Sequence, residues 1–115
     1  MDLPSEKVGT VILIRIGVSS LDAGNTDGFK KQIGPVLKTE SQLVLDLAQV
    51  EFIDSSGIGA LLSCLRELSR RGGDLKLCAA TRPVRAICEL VRLHKIVEIF
   101  NTREEAVRAF AAAGP

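Results

Sequence analysis

The chain has 115 residues, 46% of them hydrophobic and 25% charged, a length and balance suited to one hydrophobic core and unlike those of a disordered chain. A formal net charge of +1 and an aromatic set of four Phe with no Trp or Tyr give no general pull toward phosphate backbones or anionic lipid and no stacking platform, so direct nucleic-acid binding is not expected. No run nears the roughly 18 apolar residues of a membrane-spanning helix, and MDLPSEKVGT carries acids where a signal peptide carries basic residues, so the expectation is a cytoplasmic protein without membrane insertion.

In chain order, LPSEKVGT can supply a short edge strand that turns near Gly9 and pairs antiparallel with the next run, VILIRIGV at 11–18. A helical pattern follows with Phe29, Ile33, Val36 and Leu37. Gly34-Pro35 lies inside it, and proline's missing N–H and ring clash predict a kink or an early end there. LVLDL at 43–47 is apolar almost throughout, as suits a strand covered on both faces. From 57 to 70, Ile58, Leu61, Leu62, Leu65 and Leu68 recur at helical spacing, and Gly72-Gly73 stops the helix. Strand DLKLCA (74–79), a helix after Pro83, strand IVEIF (96–100) and a last helix complete the chain. Thr102 and Glu105 precede that last helix as a Thr-x-x-Glu capping box.

The pattern reads as one α/β domain over 1–115, a mixed, mostly parallel sheet with a short antiparallel edge strand, backed by about four helices. Cys64, Cys78 and Cys88 are odd in number and lack a C-x-x-C pair, which supports neither a disulfide framework nor a zinc site. Three reduced, mostly buried thiols are expected.

The informative stretch joins the 43–47 strand to the 57–70 helix through Asp54, Ser55, Ser56 and Gly57. It sits at a strand's carboxyl end, the usual place for function in α/β sheets. Any of the first three residues can cap the helix, and one cap suffices, so a hydroxyl is left free. Helical projection sets Ser56, Ala60 and Ser63 opposite the Ile58/Leu61/Leu65 stripe, so Ser56 is expected to face solvent at the head of a small, smooth docking face, with Ser55 nearer the buried side. Catalysis is not expected. Asp54 stands where a Gly-x-Ser-x-Gly elbow needs glycine, His94 is the only histidine, and the third glycine of a dinucleotide loop would fall at Leu62. No Walker A lysine occurs, and no catalytic residue, metal or cofactor is assigned.

The segment F-I-D-S-S-G-I-G-A-L-L at 52–62, after an L-x-L-D-L strand, resembles the signature of STAS domains in bacterial anti-sigma factor antagonists. The similarity extends to Ser20-Leu21-Asp22-Ala23-Gly24-Asn25, like the family's Leu-Asp turn, and to Gly72-Gly73-Asp74-Leu75-Lys76-Leu77. It departs at Ser19-Ser20 and Gly34-Pro35. The resemblance implies that Ser56, the serine before the glycine, is phosphorylated by an anti-sigma factor that is itself a serine kinase and brings its own ATP and Mg²⁺. It also implies that the unphosphorylated protein binds that kinase and releases a sigma factor, and that a metal-dependent serine phosphatase restores it. Partner contacts are expected at Asp22, Asn25, Asp54, Ser55, Ser56, Gly57, Ile58, Gly59, Ala60 and Ser63. The alternative is an accessory subunit that docks onto a membrane transport ATPase or transporter, since STAS-like domains occur there too.

Overall fold

The apolar run at 43–47 becomes strand β4 (Gln42–Asp46), with Leu43, Val44 and Leu45 fully buried at the middle of the sheet. In the computed structural model, which describes residues 1–112, it follows β1 (Ser5–Val8), β2 (Val11–Arg15), β3 (Ser20–Leu21) and helix α1 (Thr26–Thr39). After it come β5 (Phe52–Ile53), α2 (Ser55–Arg70), β6 (Asp74–Cys78), α3 (Arg82–Leu90), a 3-10 turn (Leu93–Lys95), β7 (Glu98–Phe100) and α4 (Arg103–Ala112). Among the described residues, the main sheet runs β1-β2-β4-β6-β7, antiparallel only at β1-β2 and parallel elsewhere. Gly9, at φ +62, makes the turn between β1 and β2, a backbone region that glycine enters without steric cost.

Alternate strand residues feed two cores, because successive side chains leave opposite faces of a sheet. On one face Ile14, Leu43, Leu45, Leu75 and Leu77 pack with Phe29 and Ile33 of α1, Leu61 and Leu68 of α2, and Val84 and Cys88 of α3. On the other, Val11, Leu13, Val44 and Cys78 pack with Ala106 and Phe110 of α4. Lys76 shares this second face although it is only 4% exposed. Its ammonium is met by Glu98 at 2.5 Å and Asp74 at 3.3 Å, and it lies 4.7 Å from the centre of the Phe110 ring. Those partners offset the cost of burying the charge and fasten α4 to β6 and β7.

The mixed sheet, the antiparallel edge and the four helices are as the sequence predicts. So is the capping box: the Glu105 amide donates to Thr102 Oγ1 and the Thr102 amide to Glu105 Oε1, each at 3.1 Å. All three cysteines are buried, and burial pushes the Cys64 and Cys78 thiols up to about 12. Of the kink or early end expected at Gly34-Pro35, the early end is corrected. Helix α1 does not end at Gly34-Pro35 but continues to Thr39, with Pro35 inside it. Pro35 is exposed, so the carbonyl it leaves unpaired can take water, while buried Phe29, Ile33 and Leu37 anchor both sides of it.

Candidate switch site at the start of the second helix

Two short strands that periodicity does not reveal bring the site together. Strands β3 and β5 pair parallel outside the main sheet, with Ser20 opposite Phe52 and Leu21 opposite Ile53. The carbonyl of Ser19 takes the amides of Glu51 at 2.7 Å and Phe52 at 3.1 Å, extending the junction by one residue. The loop after β3, residues 22–25, therefore lies against the start of α2.

Asp54 is the helix cap. Its Oδ1 accepts the Gly57 amide at 2.9 Å, and its Oδ2 accepts the Ala23 amide at 3.1 Å, so one carboxylate serves the helix start and the neighbouring loop. These bonds favour the ionised form and hold its pKa below the ordinary carboxylate value, the Gly57 amide being the main cause. With the cap supplied by Asp54, no side-chain hydrogen bond among the described residues engages the hydroxyl of Ser55 or Ser56.

The loop facing this carboxylate is internally braced. Ser20 Oγ donates to Asp22 Oδ2 at 2.5 Å, the Gly24 amide donates to Asp22 Oδ1 at 2.9 Å, and the Asp22 amide donates to Asn25 Oδ1 at 2.9 Å. Asn25 Nδ2 closes the set on the Ser20 carbonyl at 2.7 Å. Asp22 is thus a turn residue, and α1 begins after Asn25. Gly57 is required by close approach: a Cβ there would lie 2.4 Å from the Leu21 carbonyl oxygen and 2.5 Å from Ile53 Cγ1. The glycine after the serine pair lets α2 seat directly on the β3-β5 junction.

The docking face expected on α2 is corrected in three respects. Ser56 is half-buried whereas Ser55 is exposed, the reverse of the projected order. Ala60 is fully buried, so it offers nothing to a partner. The helix starts two residues earlier than predicted and turns Gly57, Leu61, Cys64 and Leu68 inward, leaving Leu62 and Leu65 half-exposed. Leucine spacing placed the buried stripe off-centre because it gave no weight to Gly57, Ala60 and Cys64, small residues that suit close packing on the sheet. Gly59 is half-exposed next to Ser55 and Ser56 and Ser63 is half-exposed farther along the helix, whereas Gly57 and Ile58, also expected at the partner surface, are buried, Ile58 at 8% exposed. Asp22, Asn25, Asp54, Ser55, Ser56 and Gly59 are therefore gathered at one end of the sheet, with Ser63 two turns down the helix.

The chain matches the family model of the STAS domain over residues 3–106. It belongs to the STAS domain family. Among STAS relatives, BtrV of Bordetella bronchiseptica, assigned as an anti-sigma factor antagonist, is 31% identical over 100% of this chain and 99% of its own. The anti-sigma F factor antagonist of Paenibacillus polymyxa is 26% identical over 84% of each chain. These relatives are named as regulatory antagonists, not as enzymes. A crystal structure from Thermotoga maritima, also assigned as an antagonist, superposes with a TM-score of 0.86 at 28% identity, covering 93% of this STAS domain and 92% of that chain. At lower identity the likeness is one of fold alone. SpoIIAA of Bacillus, solved in its phosphorylated form, gives a TM-score of 0.71 at 22% identity over 95% and 99% of the two chains. The murine anion transporter Slc26a9 gives 0.78 at 19% identity over 95% of this chain and 19% of the transporter. No helix among the described residues is long and apolar enough to cross a membrane.

Proposed function

We propose that this chain, a single STAS domain, is a cytoplasmic anti-sigma factor antagonist. In this reading it binds a serine-kinase anti-sigma factor, frees a sigma factor, and is turned off when that kinase phosphorylates Ser56. A metal-dependent phosphatase resets it. The observation that carries the proposal is the division of labour at α2: Asp54 alone caps the helix and braces the Ala23 loop, leaving both serine hydroxyls uncommitted at the helix start. Ser56 is chosen over the more exposed Ser55 by its place directly before Gly57, the position of the acceptor in the family pattern, and not by exposure. Antagonist relatives support the antagonist role, and SpoIIAA, a fold neighbour solved in a phosphorylated form, supports control by phosphorylation.

The chemistry fits a switch. A phosphate on Ser56 adds about −1.5 to −2 charge at a helix N-terminus, where the macrodipole and free amides favour an anion, so the fold can carry it. It also adds bulk and charge beside the Asp54 carboxylate, on the surface a kinase must cover to reach the hydroxyl. To test this, the protein is incubated with candidate anti-sigma kinases and Mg²⁺-ATP, and the modified peptide is sequenced by mass spectrometry. One phosphate on Ser56, absent from Ser56→Ala and absent without kinase, is expected. Phosphate confined to Ser55, or persisting in Ser56→Ala, contradicts the assignment.

A further inference from the structure

Phe52 stands out among the aromatic residues. Phe29 and Phe110 are buried and Phe100 half-buried, whereas Phe52 is 51% exposed, the one exposed aromatic among the described residues. Strand alternation explains its direction: β5 is two residues long, Ile53 turns into the core at 1% exposed, and Phe52 must turn out. Its backbone is held, since the Phe52 and Glu51 amides both donate to the Ser19 carbonyl. It lies four residues before Ser56, on the strand that delivers the serine. The other strongly exposed aliphatics, Leu90, Val91 and Ile96, sit where α3 ends and the chain returns to begin β7, at the amino ends of the parallel strands and the far end of the fold.

We infer that Phe52 is the apolar anchor of the partner interface, inserting into an apolar pocket of the serine-kinase anti-sigma factor that acts on Ser56. The inference rests on the antagonist reading and deepens it by naming a contact outside the turn and helix. Continuity identifies the occupant: a kinase that brings its nucleotide to the Ser56 hydroxyl must cover the rim carrying Phe52. An aromatic ring on fixed backbone is ordered at low entropic cost and excludes water over a large area, the properties that concentrate binding energy in such residues. Phe52 takes no part in the Asp54 cap and does not carry the phosphate, so it supplies affinity while Ser56 supplies control.

The test uses the purified kinase found to phosphorylate Ser56, titrated calorimetrically with wild type, Phe52→Ala, Phe52→Leu, Ser56→Asp and Leu90→Ala. Phe52→Ala is expected to weaken binding roughly 30-fold or more. Phe52→Leu should restore part of that loss, and Leu90→Ala should bind as wild type does. Melting temperature reports folding separately, and for Phe52→Ala it should stay within about 4 °C of wild type. In phosphorylation kinetics, Phe52→Ala should raise KM with kcat unchanged, the mark of lost docking. If Phe52→Ala binds within about threefold of wild type while Ser56→Asp is impaired, the anchor is wrong and the antagonist reading stands. If wild type does not bind the kinase, both fall.

Discussion

The Asp54 carboxylate accepts the amide of Ala23 at 3.1 Å, tying the start of α2 to a loop 31 residues earlier in the chain. Ionisation makes both carboxylate oxygens strong acceptors for Gly57 and Ala23, so the fold lowers the Asp54 pKa from the ordinary 3.8. A folded pKa below the unfolded one contributes stability that is present above the unfolded value and lost as pH falls through the folded value. Hydrogen exchange followed by NMR should therefore show the Ala23 and Gly57 amides protected at pH 5 and losing protection together below about pH 3.8, ahead of global unfolding. Asp54→Asn should flatten that dependence. Protection of both amides left unchanged at pH 5 by Asp54→Ala would remove Asp54 from the role.

Gly57→Ala should be strongly destabilising, because the added methyl meets the Leu21 carbonyl and Ile53 rather than open space. An overpacked, backbone-facing site of this kind costs roughly 1–3 kcal/mol, measured by urea unfolding. Gly59→Ala, where a Cβ meets nothing, serves as the control and should be neutral or mildly stabilising. Equal effects at the two glycines would contradict the close seating of α2 on the β3-β5 junction.

Leu61, 1% exposed, and Ala60, 0% exposed, define the inward face of α2. Leu61→Ala should cost roughly 2–5 kcal/mol in denaturant unfolding, and a loss below about 0.5 kcal/mol would count against this orientation. Ala60→Leu should cost roughly 1–3 kcal/mol by overpacking. Were Ala60 part of an open docking face, the same substitution would leave stability alone and disturb only binding.

The sheet and its helices were legible because their signals are local and periodic: the apolar runs of β2 and β4, the Gly9 turn, the Thr102/Glu105 box and the Gly72-Gly73 stop. The site was legible as a segment but not as a surface. Strands β3 and β5 have two residues each, too few for any period to register, and their pairing across the chain brings Ala23 to Asp54. The bond from Asp54 to Ala23 has no sequence signature, and neither does the outward turn of Phe52. Helix α1 passes through Pro35 because tertiary packing of Phe29, Ile33 and Leu37 outweighs proline's local cost. The orientation of α2 differs from the leucine projection because small residues, rather than leucines alone, line its contact with the sheet.

The central claim is that phosphate on Ser56 removes partner binding without unfolding the domain. Calorimetric titration of the unmodified and the Ser56-phosphorylated protein against the anti-sigma kinase, paired with thermal melts of both forms, tests it most directly. Affinity should fall by roughly two to three orders of magnitude on phosphorylation, with the melting temperatures of the two forms within about 10 °C of each other. Equal affinities would contradict the claim, and a loss of binding accompanied by a larger drop in melting temperature would place the switch in unfolding rather than in the surface around Ser56.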